Sequence, residues 1–566
     1  MDRRKFLKRL GFAAGGSIAF QGVPMRLLSS HQPLKNLLHK SDNEKVLVIL
    51  QLHGGNDSLN SFIPIENYDL YYNRRANIAI PYKSGNRTLI PLDSTLDAPD
   101  QVGVHPDMID YKSMYDRGQA AVYQGVSYPK NNGSHFRGRD IWFMGGDYDD
   151  YYSSGWIGRY LNQVYAPSDY PDDFPNAGMP DPLALEMGND TSLLFHQEGN
   201  IPTSISLGNS PGALLNQIEN LEGFADEGID PRGLPPEHLN GSPYKKEMDW
   251  ILGLEDKSET YIKRLQDIYQ SSSESSIEYP EIYPFNAPSG SLRNPLSGQL
   301  KLVSRLLGGG IKTKVFLVKM GGFDNHAGQV ESTNTTMGVH ATKMYHISAA
   351  MKAFHADMKA RGLQDKVLTI SMSEFGRRIP SNGSYGTDHG KGGAVMVFGD
   401  RVNPGVFGTN PDLNKSNVDL QFDYRQLYAS ILHEWLGVDK ASINNDIFFR
   451  DFFNATDENG NPLPDVQMIS NSITGTNSWL GKHFNVDNPF PNPAGDATIL
   501  KIQSNEAGKV RIEIVTVNGQ SIGVQHNSLQ QGTNDIKLDL SGLKAGIYNI
   551  RVNAKNINDT KKLIKK

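Results

Sequence analysis

The segment Lys45-Val46-Leu47-Val48-Ile49-Leu50-Gln51-Leu52 is an unbroken apolar run that stops at His53-Gly54-Gly55-Asn56-Asp57, and it constrains the fold more than any other stretch. A strand without a polar face must be covered on both sides, which is the situation of a central strand in a parallel sheet. Runs of the same character are Ala120 to Gly125, Thr313 to Met320, Lys366 to Ser373 and Ala394 to Phe398. Val339 to Arg361, between the Thr313 and Lys366 runs, carries apolar or small residues at helical spacing. Strand, helix, strand in this order predicts an α/β fold with a mostly parallel sheet flanked by helices.

At 566 residues the chain has room for more than this one domain. Arg3-Arg4-Lys5-Phe6-Leu7-Lys8 followed by the mildly apolar stretch Leu10 to Phe20 has the layout of a twin-arginine export signal, so residues 1–44 are read as a leader. That stretch is too short for a stable membrane span, and no other segment approaches the length of one. Residues 45–484 are assigned to the α/β domain. Within them 165–295 reads as an insertion or cap, with a helix over Tyr244–Tyr269 and a flexible serine-rich loop at Ser271 to Ser276. Gln426 to Gly437 is expected to be the last helix. From 485 to 566 the pattern turns to short alternating strands, Lys509 to Val517 and Asn534 to Leu540 among them, with a turn at Asn518-Gly519, which predicts a small β-sandwich. Its Pro-x-Pro entry, the strand from Leu543 to Val552 and the Lys561-Lys562-Leu563-Ile564-Lys565-Lys566 tail resemble the type A C-terminal sorting domain of type IX secretion substrates. The resemblance implies passage through the type IX machinery, to the cell surface or beyond.

Chemistry-bearing residues gather after strands, where the carboxyl ends of a parallel sheet form the ligand crevice. Cysteine is absent, so any metal must sit on His, Asp and Glu. The first segment, His53 to Asn60, offers Asp57, which could equally cap the next helix with Asn60. The second, Gly322 to Gln329, offers Asp324 and His326, two apart in a glycine-bounded turn able to aim an oxygen and an imidazole nitrogen at one cation. The third and fourth offer Glu374 with Arg377 and Arg378, then Asp388 with His389, a combination suited to a metal and an oxyanion together. Ser134, in Asn131-Asn132-Gly133-Ser134-His135-Phe136-Arg137, falls at a helix start, where free N–H groups favour an alkoxide or phosphate; plain N-capping is the competing reading. Lys plus Arg number 56 against 62 Asp plus Glu, a net charge of −6, which leaves no electrostatic footprint for nucleic acid.

Taken together, GGNDSLN, NGSHFRGRD, SGWIGRY, GGFDNHAGQ, SEFGRR, GTDHGKGG and DYRQLYASILHEWLG are similar to the DUF1501 family, related to the alkaline phosphatase and sulfatase superfamily. That resemblance implies an alkaline phosphatase-like sheet and one or two divalent ions (Zn, Mn, Ca or Mg). The implied metal ligands are Asp57, Asp324, His326, Glu374, Asp388 and His389. Ser134 is the implied nucleophile, with Arg137 or Arg377 holding the transferring group. Phe375 stands where the superfamily has a His, and His53 rather than Asp ends the first strand. With no cysteine and no serine in an S-x-P-x-R context, phosphate esters are favoured over sulfate esters, on a small-molecule or glycan substrate. Export through the inner membrane by the twin-arginine translocase completes this expectation; its rival is a catalytically inactive surface-binding protein on the same fold.

Overall fold

The computed structural model describes residues 19–20, 23–24, 44–166, 168–188, 191–208, 260–470, 484–486, 489–504, 508–516, 521–554 and 557–566. The twin-arginine motif, most of the expected Tyr244–Tyr269 helix and the Asn518-Gly519 turn lie outside them. In chain order the central elements are β1 (Val46–Leu52), β2 (Ala120–Ser127), α1 (His135–Met144), α2 (Trp156–Tyr165), β3 (Ala184–Glu186), β4 (Ser204–Ser206), α3 (Pro295–Gly308), β5 (Val315–Met320), α4 (Val339–Ala360), β6 (Val367–Met372), β7 (Gly393–Phe398), β8 (Gly405–Phe407), β9 (Phe422–Asp423) and α5 (Tyr424–Ser430).

The sheet runs β4-β3-β5-β1-β6-β7-β2-β8, with β9 also paired to β2. All pairings are parallel except those of β7, which is antiparallel to both β6 and β2. This reversal has a consequence for function: the residues just before β7 reach the same sheet edge as the residues just after β1, β5 and β6. The seven residues of β1 are all buried, and they divide between two cores. Val46, Val48, Leu50 and Leu52 pack in one, Leu47 and Ile49 in the other. Each such side chain contributes roughly 1.5–3 kcal/mol. Met344, Ile347, Met351, Phe354 and Met358 of α4, spaced 3 or 4 apart, join the first core as one helical stripe.

Two expectations need correction. Residues 260–271 are helical, but the serine run after them is pinned rather than loose: Ser272 is buried, and the Ser275 hydroxyl accepts from Ile277 N at 3.0 Å. The helix expected over Gln426 to Gly437 starts at Tyr424, because Asp423 and Gln426 form a reciprocal capping box. It is not the last, since further helical turns follow at Lys440–Ser442 and Ile443–Ile447. The motif Ser154 to Tyr160 is architectural: Trp156 stacks on Tyr428 at 4.2 Å, and buried Arg159 donates to the carbonyls of Met144, Ser154 and Ile447.

Two antiparallel sheets stand at the C-terminus. One is built from Phe484–Val486, Ala497–Ser504 and Gly532–Asp539; the other from Gly508–Thr516, Ser521–Leu529, Gly546–Ala554 and Ile557–Lys565. Alternate residues such as Leu500, Ile502, Val510, Ile512, Ile550 and Val552 share one hydrophobic cluster, and Leu563 of the basic tail is buried in it.

Beside the central sheet, His105 and His340 are both buried, with ring centroids 6.3 Å apart. Burial, reinforced by nearby charge, drives both imidazoles far below their usual range, His340 to about 3. Below about pH 6.5 the unfolded chain takes up protons that the fold refuses, so stability falls as pH falls, by about 1.4 kcal/mol per pH unit for each histidine. Urea denaturation at pH 7.5, 6 and 5 checks this. An equal slope in the His105→Phe/His340→Phe protein would refute it.

Candidate metal centre

At the carboxyl edge of the sheet, β1, β5 and β6 end in the loops 53–57, 321–329 and 373–378, and the segment 387–392 leads into the reversed strand β7. These loops are locked together by one buried guanidinium. Arg377 donates from Nε to Gly55 O (2.8 Å), from Nη1 to Thr387 O (2.9 Å), and from Nη2 to Phe323 O (3.2 Å), Gly54 O and Asp324 Oδ1 (2.6 Å). Gly54 makes the crossing possible. Its φ is +122°, and a Cβ there would stand 2.4 Å from Asp324 N.

Four side chains converge in this frame. Asp324 Oδ1 lies 3.1 Å from His326 Nε2 and 3.2 Å from His389 Nε2, and its Oδ2 lies 3.3 Å from His135 Nε2. His326 Nε2 and His389 Nε2 are 2.9 Å apart. Each imidazole has its other nitrogen committed. His389 Nδ1 is 2.8 Å from Gly133 O, His135 Nδ1 is 2.8 Å from Glu374 Oε1, and His326 Nδ1 is 3.4 Å from Asp388 Oδ1. A carbonyl or carboxylate oxygen accepts, so each Nδ1 carries the proton and each Nε2 presents a lone pair to the others.

Lone pairs facing each other at such distances repel unless a cation sits among them. Donors about 2.0–2.1 Å from a tetrahedral ion stand about 3.3 Å apart, close to the separations seen here. His135 Nε2 is moreover a buried atom with no hydrogen-bond partner among the described residues. The donor set therefore fits one divalent ion bound by His135, Asp324 and His389, with a fourth position open; His326 Nε2 borders that position, and Glu374 and Asp388 fix the rings of His135 and His326 from behind. Asp324 and His326 are each nearly half exposed, at 46% and 47%, so one side of the centre faces solvent.

The local electrostatics keep the donors in binding form. Burial works against ionisation of Asp324, but the hydrogen bond and the charge of Arg377 outweigh it and hold the carboxyl at about 2. Burial, with the charge of Arg377, keeps His389 below the ordinary imidazole range despite its bond to Gly133. The ring of Phe375 lies 4.7 Å from those of both His135 and His389 and forms an apolar wall of the cluster.

Not every residue named from the sequence joins this cluster. Asp324, His326 and His389 do, while Glu374 and Asp388 stand behind it. Asp57 is buried elsewhere, taking Arg75 Nη2 at 2.5 Å and Gln329 Nε2 at 2.6 Å on its Oδ2. Ser134 caps α1, its hydroxyl accepting from Arg137 N at 3.4 Å. Arg137 turns to the carbonyls of Tyr148 and Asp150, and Arg377 is consumed by the loops it holds. The residue missed is His135. It stood next to Ser134 in the segment already singled out, and the first turn of α1 after β2 was the available signal.

Residues 291–466 match the family model described as a protein of unknown function, DUF1501, and residues 488–566 match a secretion system C-terminal sorting domain. The sorting-domain match indicates export to the cell surface or secretion. No curated protein matches the chain. Similar solved structures include a β-glucosidase from Listeria innocua, at 12% identity over 15% of this chain and 16% of that one, TM-score 0.12. The chain thus spans less than a fifth of that enzyme. A Bacteroides thetaiotaomicron protein labelled 4S-sulf, from a locus for metabolism of multiple glycosaminoglycans, aligns at 9% identity over 88% and 90%, TM-score 0.33. Alkaline phosphatase from the Antarctic bacterium TAB5 aligns at 10% identity over 64% and 94%, TM-score 0.24. Likenesses this distant carry no weight for activity.

Proposed function

We propose that this is an exported, metal-dependent hydrolase of phosphate esters on an alkaline phosphatase-like fold, built around a single divalent transition-metal ion. The observation that carries the reading is the convergence of three imidazole Nε2 atoms on one carboxylate, each with its Nδ1 committed to an acceptor. Imidazole donors suit Zn or Fe better than Ca or Mg, which prefer all-oxygen shells. Such an ion, when bound, lowers the pKa of water and polarises an ester oxygen. The chain's own residues supply the rest. Glu374, Asp388 and Gly133 O hold the imidazoles in the binding tautomer, and Arg377 fixes Asp324 against the loops. The half-exposed side of Asp324 and His326 admits substrate and water. In this reading water is the attacking group, because the Ser134 hydroxyl is engaged in capping α1 and Arg377 is fully committed. Export by the twin-arginine translocase and then the type IX machinery is the assigned route, the β-sheet module at 485–566 acting as the sorting domain of the α/β domain at 45–484.

The test is turnover of p-nitrophenyl phosphate, with the sulfate and acetate esters alongside, by chelator-stripped protein before and after Zn or Mn is restored. Activity that returns with metal and is absent from His389→Ala is expected. Full metal binding without turnover of any ester would overturn the hydrolase and leave a surface-binding protein.

A further inference from the structure

We infer that the ester is carried on a saccharide chain, held by single exposed aromatic rings that flank the metal centre; this rests on the hydrolase reading above. Phe136 directly follows the ligand His135 and is 76% exposed. Tyr151 is 82% exposed and lies over the guanidinium of Arg137 at 4.0 Å, which the carbonyls of Tyr148 and Asp150 fix in place. The Tyr148 hydroxyl takes a bond from Lys130 Nζ at 2.9 Å. On the loop braced against the other ligand, Tyr385 is 38% exposed. That loop is tied by Asn382 Nδ2 to His326 O, and Tyr385 O takes the N–H of Gln329.

Tyr385 has φ +58°, a left-handed conformation that a bulky side chain adopts at a cost. Folding alone would be served better by glycine at that position. The residue stands partly exposed on the loop that is tied to the His326 carbonyl, within reach of a ligand that crosses the centre.

The character of the rim selects the ligand. The Phe136 and Tyr151 rings each have a guanidinium beside them, Arg139 at 5.9 Å and Arg137 at 4.0 Å, so they form no continuous apolar patch for a lipid or a protein partner. With a net charge of −6, the chain is a poor match for nucleic acid. A pyranose presents a C–H face to a ring and hydroxyls to the polar group beside it, which fits this pairing. The centre is also open, whereas small ligands are normally buried over most of their surface. A cavity of about 640 Å³ does exist, but it lies at the opposite edge of the sheet, lined by the start of β1 at Val46 and of β6 at Val367. An extended chain crossing an open metal centre needs no such enclosure.

Affinity electrophoresis in native gels containing soluble xylan, dextran, laminarin or chondroitin sulfate tests the inference on metal-loaded and metal-stripped protein alike, without requiring turnover. Retardation by at least one polysaccharide is expected, with apparent Kd raised tenfold or more in Phe136→Ala/Tyr151→Ala. Tyr385→Gly is expected to weaken binding while raising resistance to urea, a pairing that a purely structural tyrosine would not give. No retardation by any of the four, or retardation equal in wild type and variants, overturns the proposal. Binding without any ester turnover would sink the hydrolase reading alone, and turnover of aryl esters without retardation would sink this one alone.

Discussion

About one equivalent of a divalent transition metal is expected to travel with the purified protein, and Asp324→Ala and His389→Ala are each expected to lose it. Asp324 is the hub of the centre: both of its oxygens face imidazole Nε2 atoms, at 3.1 to 3.3 Å. Removing it takes away the anion that balances the ion's charge, so the loss in affinity exceeds the ~10–100-fold typical of an outer partner. That smaller figure is the expectation for Glu374→Ala, which frees His135 Nδ1 and Gly54 N but removes no donor. The variants leave Arg377 its four backbone carbonyls, so the loops keep their clamp. Protonation of Asp324 is not expected to be what releases the metal on mild acidification, since Arg377 holds it ionised down to about pH 2. Plasma mass spectrometry after dialysis, with urea denaturation to show that each variant folds, reads the result. No metal in the wild type, or a full equivalent in Asp324→Ala, would remove the basis of the proposed centre.

The second large effect is expected from Arg75→Ala, which should cost about 3–5 kcal/mol of stability. Arg75 is completely buried and Asp57 nearly so, and their Nη2–Oδ2 contact is 2.5 Å. Truncating the arginine leaves a carboxylate buried with only Gln329 as a donor among the contacts described, and that unpaired charge is the source of the cost. Replacing both partners, as Asp57→Asn/Arg75→Met, is expected to recover most of the loss. Equal destabilisation in the single and double variants would show that packing rather than charge is at stake. The same pair is the reason one equivalent rather than two is expected. The carboxylate that family resemblance assigns to metal already has a guanidinium as its cation, so two equivalents in the wild type would contradict this assignment.

Local pattern carried a good part of the architecture. The unbroken apolar run of β1 reported a strand buried on both faces, because side chains that alternate direction must then find two cores, and Val48 and Ile49 do. Glycine-bounded turns after the strands marked where polar residues gather, and Asp324, His326 and His389 were legible there as possible ligands. What the sequence could not decide is which of two neighbours enters the cluster. Ser134 and His135 are adjacent, yet one caps α1 and the other reaches Asp324. Asp388 and His389 are adjacent, yet one orients a ring and the other supplies a donor. Asp57 looked like a ligand until an arginine 18 positions later claimed it. The reversed strand β7, which brings residues 387–392 to the metal edge, likewise has no signature in its own residues. Periodicity records whether a side chain points in or out, and that is set locally. Which partner it meets depends on the angle at which loops hundreds of residues apart are brought together, and only the packed sheet, with Arg377 tying 54–55, 323–324 and 387 into one frame, fixes that angle.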